Sequence, residues 1–194
     1  MLEALGASWT ELPVGLPVPP DDGGASHLEG SALPDVPLPA TDGGTVSLAR
    51  LPGRSVVYAY PRTGEPGRPN PDGWDAIPGA RGCTPQSCAF RDHAEELRGL
   101  GVDHLFGLST QDVPYQQEVA ARLHLPFPLL SDAALTFAVA ARLPVFEVAG
   151  MTLLRRLTMV VDTGRVTKVF YPVFPPDRNA ADVVSWLRAE PRPA

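Results

Sequence analysis

Two cysteines and four histidines are all the thiol and imidazole side chains in 194 residues. No second cysteine pair and no closely spaced histidine pair accompanies Cys83 and Cys88, so the donor set of a structural zinc site is not assembled in the sequence. Positive charge is also short. Sixteen Lys and Arg face 22 Asp and Glu, for a formal charge of −6. An acidic surface repels phosphate backbones, which argues against a nucleic-acid partner. No apolar run approaches the roughly 20 residues that span a bilayer, so no membrane segment is expected. The first 25 residues hold Glu3, Glu11, Asp21 and Asp22 but no early Lys or Arg and no apolar core. A secretory signal is therefore not expected, and a cytoplasmic location is the default. Internal repeats and heptads are absent.

What the chain has in plenty is proline, 23 residues, and glycine, 18 residues. Many of the prolines sit in residues 1–30, in residues 61–85 and at the C-terminus, and residues 1–30 read as an irregular arm over the surface rather than a core element. The remainder, 31–194, reads as one domain. Asp42-Gly43-Gly44 marks a hairpin between two short strands. Residues 55–61 (SVVYAYP) form a β-branched and aromatic run closed by Pro61, as a buried central strand would. Residues 62–82 make a long Gly/Pro-rich loop, and loops longer than about 12–15 residues usually have a function or lack order.

Past the two cysteines, residues 90–100 predict a helix with Phe90, Ala94, Leu97 and Leu100 on one face, stopped by Gly101. Strand 102–110, helices near 113–124 and 132–142, a hairpin over 156–173 turning at Thr163-Gly164, and a helix over 178–190 with Ala181, Val184 and Leu187 inward complete the pattern. Strands alternating with helices favour a central sheet with parallel pairs, and the late hairpin adds antiparallel strands. The expected class is α/β: a thioredoxin-like fold, a mixed central sheet flanked by helices, with an N-terminal β-hairpin extension.

Cys83 falls where the long loop meets a helix. Unpaired N–H groups and the partial positive charge of a helix N-terminus favour thiolate over thiol. Gly82 allows the backbone a close approach to a small substrate. A thiolate that attacks a hydroperoxide becomes a sulfenic acid, and a nearby thiol condenses with it to a disulfide. Cys88 lies five residues on. On a regular helix the two Cα atoms are about 8–9 Å apart, whereas a disulfide needs about 4.4–6.8 Å. Such a bond requires the first helical turns to unwind. A structural disulfide, a zinc site and two unrelated core cysteines are the competing readings.

The stretch Gly82-Cys83-Thr84-Pro85-Gln86-Ser87-Cys88-Ala89-Phe90-Arg91-Asp92 resembles the Q-type peroxiredoxins, the bacterioferritin comigratory protein group, in the register of their two-cysteine motif. Residues 33–61, 125–132 and 156–166 are similar to further family segments, so the resemblance covers about residues 33 to 190. It implies a thiol-dependent peroxidase that reduces hydrogen peroxide and organic hydroperoxides. Cys83 would be the peroxidatic cysteine, Cys88 the resolving one within the same chain, and Arg156 the arginine that stabilises thiolate and peroxide. Strand alternation sends Arg155 and Arg156 to opposite faces, so only one of them can reach the site. Pro61, Gly82 and Thr84 are the expected substrate-pocket residues.

Two departures stand out. Pro61 lies 22 residues before Cys83 instead of about seven, and Ala80 occupies the position of the family's threonine. Thr63, Thr84 or a backbone group would have to replace that hydroxyl, and Arg81 could add charge beside the sulfur. Trp74 is read as packing the loop down, His93 as a helix-side residue, and Arg91-Asp92 as a solvated pair. No metal or other cofactor is required. The expected partners are a hydroperoxide and a thioredoxin- or glutaredoxin-type reductant, and resolution within one chain makes a monomer sufficient. The rival functions are a thiol–disulfide oxidoreductase, which would favour Cys-x-x-Cys spacing, and a non-enzymatic thioredoxin-fold module that binds a partner through the arm or the 62–82 loop.

Overall fold

The computed structural model describes residues 12–190; residues 1–11 of the expected arm lie outside them. A short hairpin of β1 (Leu38–Pro39) and β2 (Thr45–Val46) turns at Asp42-Gly43-Gly44 as expected, with Gly44 N–H bonded to Asp42 Oδ1. Then come β3 (Arg54–Ala59), α1 (Cys83–Asp92), α2 (Ala94–Gly99), β4 (His104–Ser109), α3 (Val113–Arg122), β5 (Leu129–Ser131) and α4 (Thr136–Ala141). The chain finishes with a hairpin of β6 (Val145–Val148) and β7 (Met151–Leu154), a second hairpin of β8 (Leu157–Asp162) and β9 (Arg165–Phe170), and α5 (Asn179–Ala189).

The main sheet has the order β5-β4-β3-β8-β9. Strands β3, β4 and β5 run parallel, while β8 and β9 pair antiparallel. All six residues of β3 are buried, as befits a strand with both neighbours present and both faces covered. Its side chains alternate between two cores. Val57 and Ala59 join Phe106, Leu108, Met159 and Phe137 on one face. Val56, Tyr58 and Tyr60 join Phe90, Leu97, Val119, Val183 and both cysteines on the other. Tyr58 stacks on Phe90 with ring centroids 4.4 Å apart, which fixes α1 against the sheet.

Several elements differ from the sequence reading. The helix after the cysteines is two helices that break at His93, whose ring Nδ1 lies 2.9 Å from the Ala89 carbonyl. The helix expected over 132–142 is shortened to Thr136–Ala141, because Asp132 accepts from the Phe137 and Ala138 amides and holds the turn before it. The β6–β7 hairpin was not expected; it turns at Ala149-Gly150, both at positive φ, and a non-glycine residue there gives little signal. On α5 it is Ala180, not Ala181, that is buried with Val183, Val184 and Leu187. The arm also departs from expectation: its residues 21–30 are irregular, but Ala25 and Leu28 are buried in the main core.

Candidate active site

Gly82 is the N-cap of α1, with φ 98° and ψ 19°. That left-handed conformation suits glycine, and space enforces the same choice. A Cβ there would stand 2.3 Å from Pro176 Cγ and 2.7 Å from Leu12 Cδ2. Cys83 is the first residue of α1 and is 3% exposed. Pro85 sits in the first turn, where its missing N–H costs the helix nothing.

The guanidinium of Arg156 meets the sulfur. Nη2 lies 3.2 Å from Cys83 Sγ and also donates to the carbonyls of Gly79, Ala80 and Arg81. Nη1 donates to Gln86 Oε1. Gln86 Nε2 in turn donates to Asn179 Oδ1 at 2.9 Å, and the same oxygen accepts from Thr158 Oγ1 at 2.6 Å. Gln86, Asn179, Thr158 and Arg156 are all buried. This chain ties α1, α5 and β8 to one cation and fixes its direction. No carboxylate pairs with Arg156 among the described residues. A buried cation is costly without an anion, and the nearest group able to become one is the Cys83 sulfur. Arg156 itself lies just before β8 rather than within it.

Arg155 and Arg156 lie between β7 and β8, so strand alternation does not separate them; Arg155 nonetheless goes elsewhere, pairing with Asp22 at 3.7 Å and lying over the Phe146 ring. Arg81 does not add charge at the sulfur; its side chain pairs with Asp75 at 3.2 Å. The Thr63 hydroxyl is committed to Gln111 Oε1 at 3.1 Å. At the threonine position, the backbone carbonyl of Ala80 lies 3.6 Å from Cys83 Sγ and accepts from the thiol. Thr84 is buried in the first turn of α1. Pro61 is buried after β3, and its carbonyl accepts from Ser109 Oγ on the β4 side. Trp74 packs the long loop down: with Ala80 and Leu153 it forms a small third core.

Cys88 lies on the same unbroken helix, 7% exposed, and both cysteines are free. Burial pushes the Cys88 thiol up from its ordinary value, and nearby Arg91 only partly opposes that. Burial likewise pushes the Tyr58 and Tyr60 phenols up, so both stay neutral beneath α1. Sequence reasoning missed Gln86, Asn179 and Thr158. Gln86 was findable, since a polar residue three after Cys83 shares its helix face. Asn179 and Thr158 meet it only through the fold.

A buried thiol at a helix N-terminus, backed by a buried arginine at the start of an inner strand of a mixed sheet, defines a thioredoxin-like thiol protein. Redoxin matches residues 28–184. The chain is 32% identical over 163 residues to a chloroplastic peroxiredoxin Q of Oryza sativa subsp. japonica, covering 83% of this chain and 67% of that protein. It is 29% identical over 170 residues to a putative peroxiredoxin bcp of Coxiella burnetii, covering 81% and 97%. The crystal structure of peroxidoxin BcpB from Mycobacterium tuberculosis superimposes with a TM-score of 0.66 at 29% identity, covering 83% of this chain and 96% of that one. The chain belongs to the redoxin family, in the peroxiredoxin Q and bacterioferritin comigratory protein group, and is a thiol-dependent peroxidase. Among the described residues no helix is long and apolar enough to cross a membrane.

Proposed function

We propose that Cys83 is the peroxidatic sulfur, Cys88 the resolving one, and Arg156 the group that stabilises charge between them and the substrate. One observation carries this: Arg156 Nη2 lies 3.2 Å from Cys83 Sγ, and among the described residues no carboxylate pairs with the arginine. The Cys83 thiolate attacks one oxygen of a hydroperoxide. The O–O bond breaks, the second oxygen leaves as alkoxide or hydroxide and takes a proton, and the sulfur becomes a sulfenic acid. Arg156 and the helix N–H groups oppose the negative charge that moves from sulfur to oxygen. The Cys88 thiol then displaces the sulfenic hydroxyl as water, leaving the Cys83–Cys88 disulfide. An external dithiol of the thioredoxin or glutaredoxin type reduces that bond by exchange.

The second step requires α1 to open, because residues five apart on a helix cannot be bridged. Burial of Cys88 fits that order: in the closed helix its thiol holds its proton and is a poor nucleophile, and opening exposes it. Hydrogen peroxide and organic hydroperoxides are the proposed substrates. A monomer and a reducing, cytoplasmic setting complete the reading; no metal, haem or flavin enters the cycle.

Stopped-flow oxidation tests the assignment. Cys83→Ser is expected to lose the fast second-order reaction with hydrogen peroxide. Cys88→Ser is expected to react once and hold Cys83 as sulfenic or sulfinic acid. Undiminished oxidation in Cys83→Ser would end the assignment.

A further inference from the structure

Residues 12–22 form neither helix nor strand and precede the family match, which begins at residue 28. They nevertheless lie against the reactive loop. Leu12 Cδ2 fills the space beside Gly82, one residue before Cys83, standing 2.7 Å from where a Cβ would be. Pro19 Cβ and Cγ stand 3.6 Å from where a Cβ on Gly79 would be, and the Gly79 carbonyl is one of the acceptors of Arg156. Pro19 and Pro20 share with Pro78, Arg156 and Tyr171 the walls of a cavity of about 20 Å³. A water needs roughly 10–15 Å³ measured this way, so the space is about water-sized; it reaches Arg156, the partner of the Cys83 sulfur, and Cys83 itself is not among its walls. On its other side the loop is closed by the packing of Ala80 with Trp74 and Leu153.

Among the described residues, Asp22 is the segment's polar latch. Asp22 Oδ1 accepts from the Tyr171 hydroxyl at 2.7 Å and from the Gly24 amide at 2.9 Å, while Oδ2 lies 3.7 Å from Arg155 Nε. Beyond the latch, Ala25 and Leu28 are fixed in the core. Between the latch and Leu12, Val14 and Val18 face solvent and only Leu12, Leu16, Pro17 and Pro19 are half-buried. The anchor is thus firm and the hold beyond it slight.

We propose that residues 12–22 are a strap that sets the size of hydroperoxide admitted to Cys83. With the Asp22 latch closed, hydrogen peroxide enters; bulky organic hydroperoxides react only from the open state. This rests on Cys83 being the peroxidatic sulfur. The rate for a bulky substrate then scales with the open fraction.

The test compares wild type with Asp22→Ala and Tyr171→Phe in the full chain, using hydrogen peroxide, cumene hydroperoxide and a bulky maleimide, with Cys83 labelling read by peptide mass spectrometry. Loss of the charged latch is expected to raise the cumene hydroperoxide rate about three- to tenfold, with the hydrogen peroxide rate within about twofold. Maleimide labelling of Cys83 is expected to rise in parallel. Unchanged cumene-to-hydrogen-peroxide ratios and unchanged labelling in both variants would overturn the strap. A wild type inert to hydrogen peroxide would instead sink the peroxidase assignment and the substrate gate with it, and maleimide labelling would then still report whether the latch opens.

Discussion

Arg54 and Arg156 stand at opposite ends of one antiparallel strand pair, β3 and β8, and each is 4% exposed. Arg54 faces Asp162 in the strand register and makes two bonds to its carboxylate, at 2.9 and 3.1 Å. Arg156, just ahead of Leu157, meets three backbone carbonyls, the Gln86 side chain and the Cys83 sulfur. Among the described residues, the same residue type at the same burial is neutralised at one end and held without a carboxylate at the other. At the Arg54 end the charge is a structural matter, matched when the strands pair. At the Arg156 end neutral oxygens hold the cation in place without cancelling it, and the sulfur we propose as the reactive one lies 3.2 Å away.

Replacing each arginine separates the two roles. Arg156→Met is expected to lower the second-order rate with hydrogen peroxide about 10²–10³-fold, the range found for removing one donor to developing charge. Its unfolding free energy is expected to hold or rise, because a buried cation without a carboxylate contributes little to stability. Arg54→Met is expected to keep the rate and lose about 1–3 kcal/mol of stability in denaturant melts, since it strands the partly exposed Asp162. The reverse pattern would break the comparison. A smaller effect sharpens it: Gln86→Leu removes the side chain that aims Arg156 and is expected to slow peroxide oxidation roughly tenfold. Gln86→Glu would supply the missing carboxylate. If the cation must stay uncancelled, that variant is also slowed, although the bond to Arg156 is kept.

The parts of the fold written in local signals were legible. β3 reads as an unbroken β-branched and aromatic run, and the β8–β9 hairpin carries its Thr163-Gly164 turn in plain view. The junction of loop and helix at Cys83 was legible for the same reason. Elements whose signal is weak or long-range were not. The β6–β7 hairpin turns on Ala149-Gly150, and the burial of Ala25 and Leu28 depends on a core built by distant strands. In the candidate site, Cys83, Cys88 and Arg156 were read from the motif register, and of the expected pocket residues Gly82 is the N-cap of α1 and Thr84 lies in its first turn. Gln86, Asn179 and Thr158 form their relay across separations of 93 and 21 residues, which no local pattern encodes. The contact at the family threonine's position was also hidden, because it is the Ala80 carbonyl, a group which every residue has and which accepts from the thiol but cannot donate as a hydroxyl does.

The most direct test of the two-sulfur account is mass spectrometry of the reduced full-length protein before and after one equivalent of hydrogen peroxide. The account predicts loss of both free thiols, a mass lower by two hydrogens and a peptide pair joined through Cys83 and Cys88. Two free thiols after exposure, or oxygen added at Cys88 with Cys83 untouched, would contradict it.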